Sequence, residues 1–176
     1  MYNMKKLRLL VTKYCPKSCE GCCNKDWNLD NLPIIDDFSK YDEILITGGE
    51  PLAKVQRDIT LRIIEFIHIF NPSAQIIVYT ASPSGILWLN SMYAVDGYTL
   101  TIHNESDIDA LYDLNNVILS NEKYYREFYS LRLNVFKGIE LPKELDLRCW
   151  TVKKDIEWIP NCPLPEDEIF MRMPNI

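Results

Sequence analysis

The sequence lacks any apolar run approaching the ~20 residues that a membrane-spanning helix needs, so no span and no membrane partner are expected. It also lacks a basic excess. Nineteen Lys and Arg stand against 25 Asp and Glu, for a net charge of -6, which argues against a broad nucleic-acid or membrane-surface footprint. No internal repeat or low-complexity segment divides the chain. The N-terminal stretch MYNMKKLRLLVTKYC is basic and then apolar, but it has neither a long apolar region nor a small-residue cleavage site, so it does not read as a signal peptide. Without export the expected location is the cytoplasm. In that reducing compartment, clustered cysteines point to metal or redox chemistry more than to structural disulfides.

What is present fits one globular domain over residues 1–176, with 47% hydrophobic and 25% charged residues. Short β-branched runs alternate with longer helical patterns. Six strands are expected: Leu7–Thr12, Glu43–Thr47, Gln75–Thr80, Gly97–Ile102, Ser130–Phe136 and Leu145–Val152. Helices are expected over Arg57–Phe70, closed by Asn71-Pro72, over Ser84–Tyr93, and over Ser106–Ile118, which opens with a Ser-x-x-Asp variant of the capping box. His68 reads as packing within the first of these, and the aromatic run Asn121–Ser130 as a helix–strand connector whose tyrosines cover the core. Residues 158–176, rich in proline, read as an extended C-terminal strap. Strand–helix–strand repetition implies an α/β fold with parallel strands and short loops.

Parallel α/β folds place their sites at the C-terminal ends of the strands. That rule selects Cys15 to Cys23, Gly48 to Pro51, Thr80 to Ser82, His103 to Asn104, Phe136 to Lys137, and Lys153. Four of the six cysteines lie in the first of these segments. Cys15, Cys19 and Cys22 form a C-x3-C-x2-C set, without the second C-x2-C pair or added histidines of most zinc sites. Four cysteines saturate an iron–sulfur cluster, whereas three leave one iron open to a ligand. Pro16, Lys17, Ser18, Glu20, Gly21 and Asn24 are surface-loop residues, so thiols among them are exposed unless ligated. Core thiols or an adventitious zinc loop are the plainer alternative. Cys23 reads as a packed small hydrophobe and Cys149 as a core residue of the sixth strand. Cys162 is less easily buried, and a second cluster from Cys23, Cys149 and Cys162 lacks cluster-like spacing.

The C-x3-C-x2-C set after the first strand, followed by "TGGEPL" (Thr47 to Leu52) after the second, resembles the radical S-adenosylmethionine (SAM) enzymes. The resemblance implies a single partial (β/α)6 barrel. It implies that Cys15, Cys19 and Cys22 ligate a 4Fe–4S cluster whose open iron binds S-adenosylmethionine, and that Gly48, Gly49, Glu50 and Pro51 bind the amino group of that cofactor. Paired glycines admit close backbone approach, and carbonyls beside an acid suit an ammonium. Thr80 and Ser82 are candidates for the ribose or carboxylate of the cofactor, and His103 and Asn134 for further cofactor contacts, with Arg132 on the Asn134 face of its strand.

The family's loop usually carries an aromatic just before the third cysteine, where this chain has Gly21. With Asn24 and Trp27, that glycine is similar to the loop of the small activases of anaerobic ribonucleotide reductases. This likeness implies a glycyl-radical protein as substrate and a flavodoxin- or ferredoxin-type reductant. Two other readings stay open: a small-molecule enzyme similar to the 7-carboxy-7-deazaguanine synthases, and a non-catalytic iron–sulfur or zinc sensing module.

Overall fold

A computed structural model describes residues 5–92 and 94–176; Tyr93, the expected end of the second helix, and Met1 to Met4 lie outside the described residues. Seven strands are present: β1 (Lys6–Thr12), β2 (Glu43–Gly48), β3 (Gln75–Thr80), β4 (Gly97–Ile102), β5 (Ser130–Phe136), β6 (Thr151–Ile156) and β7 (Glu168–Arg172). Four helices accompany them: α1 (Arg57–Phe70), α2 (Pro83–Asn90), α3 (Ile108–Ser120) and α4 (Glu122–Phe128). All strand pairs are parallel, and the order is β6-β5-β4-β3-β2-β1-β7. β6 and β7 are the two free edges, so the sheet is open.

The first six strands lie side by side in chain order. Right-handed crossovers between such neighbours deliver every helix to the same face. The burial pattern agrees. Leu7, Leu9, Ile44, Ile46, Ile76, Val78, Leu100, Leu131 and Leu133 pack with Ile63, Ile64 and Ile67 of α1, Ile86 and Leu89 of α2, and Leu111, Leu114 and Ile118 of α3 in one core. Each Leu or Ile buried there contributes about 1.5–3 kcal/mol of transfer free energy. Strand alternation sends the intervening residues to the opposite face. Of these, Arg8, Thr47, Tyr79 and Thr101 line a cavity at the C-terminal ends of the strands.

Several elements depart from the sequence expectation. The sixth strand begins at Thr151, because Leu145 and Trp150 are used as buried anchors of turns: Leu145 N donates to Pro142 O, Trp150 N to Leu147 O, and the Trp150 indole N–H to Asn115 Oδ1. Cys149 therefore precedes the strand and is only half-buried. The strand itself, TVKKDI, is largely exposed, and its lysines suit an unpaired edge. α3 begins two residues late, after a single 3-10 turn over Glu105–Asp107, and has no side-chain cap. The aromatic connector contains α4, with Tyr125 buried.

The C-terminal strap ends in a strand. β7 pairs with β1 in the register Lys6↔Glu168 to Leu10↔Arg172 and buries Phe170. Residues 157–167 thus link the two opposite edges of the sheet. The link turns twice on its way, with Cys162 N donating to Ile159 O and Glu168 N to Pro165 O, and it carries Trp158 into the cavity lining.

Candidate active site at the strand ends

The first crossover has no α-helix. Residues 13–42 form a loop with three isolated 3-10 turns, and the cysteines occupy its beginning. Two backbone bonds weld the chain beyond β2 to the chain beyond β1: Gly49 N donates to Thr12 O at 2.8 Å, and Glu50 N to Tyr14 O at 2.7 Å. A Cβ on Gly49 would lie 2.0 Å from Tyr14 O, so only glycine fits the weld.

Glu50 is 2% exposed, and its carboxylate faces inward. Oε1 accepts from Thr80 Oγ1 at 2.5 Å and from Leu52 N at 3.0 Å; Oε2 accepts from Ala81 N at 2.7 Å. The Glu50 side chain therefore staples the turn after β2 to the end of β3. Burial pushes its pKa above the ordinary carboxylate value, while these three donors pull it back. Pro51 O accepts from Thr60 Oγ1 and anchors the start of α1.

Cys15, Cys19, Cys22, Gly48, Gly49, Glu50, Thr80 and His103 line a single cavity of about 210 Å³. Larger hollows on the surface of α4 are lined by residues such as Leu119, Lys123 and Glu127 and gather no comparable chemistry. Pro51, Ser82 and Asn134 do not border the thiol cavity. Ser82 is occupied as the N-cap of α2, its Oγ accepting from Gly85 N at 3.1 Å, and Asn134 is half-buried on β5. Thr80 borders the cavity, but its hydroxyl donates to Glu50 and accepts from Ser82 N. His103 stands at the end of β4, and its Nδ1 is buried with no partner among the described residues. Burial pushes the His103 pKa below the usual imidazole value, and the charge of Lys17 adds to that shift.

Cys15, Cys19 and Cys22 are free thiols. The Cys19 thiol is raised in pKa by burial first and then by the neighbouring Cys15 and Cys22. As a donor set, three thiols lining one cavity suit an iron–sulfur cluster. Their sulfurs are not drawn into a metal-binding group, however; no set of three or more Cys, His, Asp or Glu is so gathered among the described residues. Two side chains pin the loop to the strand ends: Asn24 Nδ2 donates to Gly48 O at 2.7 Å, and the half-buried Lys17 pairs with Asp107 at 2.6 Å; Lys25 Nζ donates to Glu20 O within the loop.

Compared with protein-family models, with curated proteins and with solved structures, the chain matches none.

The expectation for Cys23 needs correction: it is not a packed thiol but forms a disulfide with Cys162, with Cα atoms 5.4 Å apart. The Trp27 indole N–H donates to Cys162 O, which fixes the strap over the cysteine loop, and the Trp27 ring packs edge-on against Phe170.

The sequence reading also missed Trp158. This strap residue lines the cavity, stacks on His103 with ring centroids 5.3 Å apart, and packs on Phe136 at 4.4 Å. Its indole explains Gly21, because a Cβ there would lie 2.3 Å from Trp158 Cγ. Gly21→Ala is expected to displace the indole, with a change in tryptophan fluorescence and a stability loss of about 1 kcal/mol, at the low end of overpacking costs because a side chain can swing aside. Unchanged fluorescence would remove this account of Gly21. Arg8, paired with Glu168 at 2.7 Å, and Tyr79 complete the floor; alternation along β1 and β3 was the signal available for both.

Proposed function

We propose that this chain is a radical S-adenosylmethionine enzyme built on a partial (β/α)6 barrel. The observation that carries the reading is that three free thiols, Cys15, Cys19 and Cys22, and the Gly48–Gly49–Glu50 turn line one cavity at the ends of β1 and β2. Cys15, Cys19 and Cys22 would hold a 4Fe–4S cluster, which with bound S-adenosylmethionine supplies one-electron reductive cleavage and a 5′-deoxyadenosyl radical that abstracts hydrogen.

The chain's own residues do the rest. The weld between Gly49, Glu50 and the backbone of Thr12 and Tyr14 keeps the cysteine loop beside the glycine turn. Glu50 spends its three acceptor contacts on fold geometry and Gly48 O already accepts from Asn24 Nδ2, so the Gly49 carbonyl is the acceptor assigned to the cofactor's ammonium. The imidazole of His103, whose pKa burial lowers, lines the cavity and carries a buried Nδ1 that no described group engages. Lys17 and Arg8 bring positive charge to the cavity lining, which suits a cofactor carboxylate. Asp107 and Glu168 hold those cations in place.

Within the class, the open sheet favours a protein segment as substrate, in the manner of an activase acting on a glycyl-radical partner. A flavodoxin- or ferredoxin-type protein would supply the electron.

The test is anaerobic reconstitution with iron and sulfide, followed by electron paramagnetic resonance with and without S-adenosylmethionine and a chromatographic assay for 5′-deoxyadenosine. A cluster signal that shifts with the cofactor, formation of 5′-deoxyadenosine, and loss of both in Cys19→Ala are expected. Zinc in place of iron, or a cluster indifferent to the cofactor, overturns the enzyme reading and leaves a structural or sensing loop.

A further inference from the structure

The cavity of about 210 Å³ falls below the ~300–1,000 Å³ usual for small-molecule sites. Trp158 is the reason. Its indole stands between Gly21 and His103, filling the mouth that the cysteine loop and β4 leave open. Trp158 belongs to the strap, and little else holds the strap there. Glu157 to Asn161 are exposed, and the nearby Lys137–Glu157 ion pair is also exposed. A segment with so few buried contacts opens readily unless it is tied. The tie is the Cys23–Cys162 disulfide, supported by the Trp27 bond to Cys162 O. The turn that carries it is strained: Asn161 and Cys162 have φ of 60° and 28°, and Cys162 has no glycine-like freedom to relieve the strain. Both half-cystines are partly exposed, so a thiol can reach them.

We infer that Cys23 and Cys162 form a reversible thiol–disulfide site, closed in this structure, whose reduction by a dithiol frees the strap, withdraws Trp158 and opens the thiol cavity to its ligand. In that exchange a thiolate of the dithiol attacks one sulfur, the S–S bond breaks, and a mixed disulfide forms. The second thiol of the reagent then closes its own disulfide. Two electrons and two protons pass to Cys23 and Cys162, which become thiols. An oxidised dithiol reverses the exchange. The pair is thus a gate that keeps Trp158 at the cavity lined by the three partly buried free thiols under oxidising conditions. The inference needs no iron at Cys15, Cys19 or Cys22, so it stands or falls separately from the proposed activity.

The experiment uses the full chain equilibrated in air and the same protein reduced with dithiothreitol and desalted anaerobically. Mass spectrometry of alkylated peptides is expected to show Cys23 paired with Cys162 in the first sample and both free in the second. The alkylation rate of Cys19 by a bulky maleimide is expected to rise about tenfold on reduction, as a locally closed segment becomes an open one. Trp158→Ala, with the disulfide intact, is expected to give the fast rate without reduction. Cys23→Ser/Cys162→Ser is expected to give it regardless of redox history. Unpaired Cys23 and Cys162 in air, pairing of Cys162 with any other cysteine, or equal Cys19 rates in the oxidised and reduced wild type would overturn the inference. The wild-type comparison decides even if a variant folds poorly.

Discussion

Glu50→Ala is expected to lower stability by about 3 kcal/mol, because it leaves Thr80 Oγ1, Leu52 N and Ala81 N without their common acceptor in a buried place. Unpaired buried donors cost about 1–3 kcal/mol each, and the relief of desolvating a carboxylate offsets part of the sum. For a domain of this size that is a fall in Tm of roughly 6–12 °C. Glu50→Gln should lose less, since one oxygen still accepts, but its amide N–H then opposes a donor. The pH dependence separates the charge from the shape. Burial raises the folded-state pKa of Glu50 above its ordinary value of 4.5. The folded protein therefore holds this proton more tightly than the unfolded chain. The stabilising contribution of the proton is complete below the unfolded value and is lost as pH rises through the folded one. Urea midpoints measured from acidic to neutral pH should fall for the wild type relative to Glu50→Gln across that window. Parallel curves would mean that the three donors fully offset the burial of the carboxylate, and a Glu50→Ala variant as stable as the wild type would mean that the carboxylate does not staple the two strand ends.

The parts of this geometry legible in the sequence were those governed by local pattern. Leu7 to Thr12, Gln75 to Thr80 and Gly97 to Ile102 are continuous β-branched or apolar runs, and β1, β3 and β4 occupy them to within a residue. From strand order and crossover handedness, the cysteine loop and the glycine turn had to fall at one end of the sheet. What stayed hidden depended on chain paths without a local signal. Glu168 to Arg172 is five residues between Pro165 and Pro174, too short and too punctuated to announce a strand; only pairing with the edge of β1 makes it one. The route of the strap then decides Cys162 and Trp158 together, because neither the disulfide to Cys23 nor the contact with Gly21 can be read across a separation of more than a hundred residues. Ser82 and Thr80 are ambiguous in the sequence for a different reason. A hydroxyl after a strand looks equally ready for a ligand or for a cap, and here the α2 N-terminus and Glu50 claim them.

Gly49→Ala is expected to be the most damaging of the single-methyl changes at this site. At Gly21 the obstacle to a Cβ is the indole of Trp158, which can rotate away; at Gly49 it is Tyr14 O at 2.0 Å and Tyr14 C at 2.3 Å, both backbone. Backbone can yield only by breaking the bond from Gly49 N to Thr12 O or that from Glu50 N to Tyr14 O. Either break separates the turn after β2 from the segment that leads directly into Cys15. The expected loss is about 3 kcal/mol, the upper range for overpacking without room to relax. The same displacement moves the first thiol relative to Gly48, so iron bound per chain after reconstitution should fall together with stability. Gly21→Ala should lose little of either. Calorimetry and iron analysis on the two variants side by side test the distinction. If Gly49→Ala melts with the wild type and binds as much iron, the weld between the two strand ends is not what holds the cysteine loop against the glycine turn. If Gly49→Ala loses stability but keeps its iron, the weld serves the fold alone, and the thiols find their ligand without it.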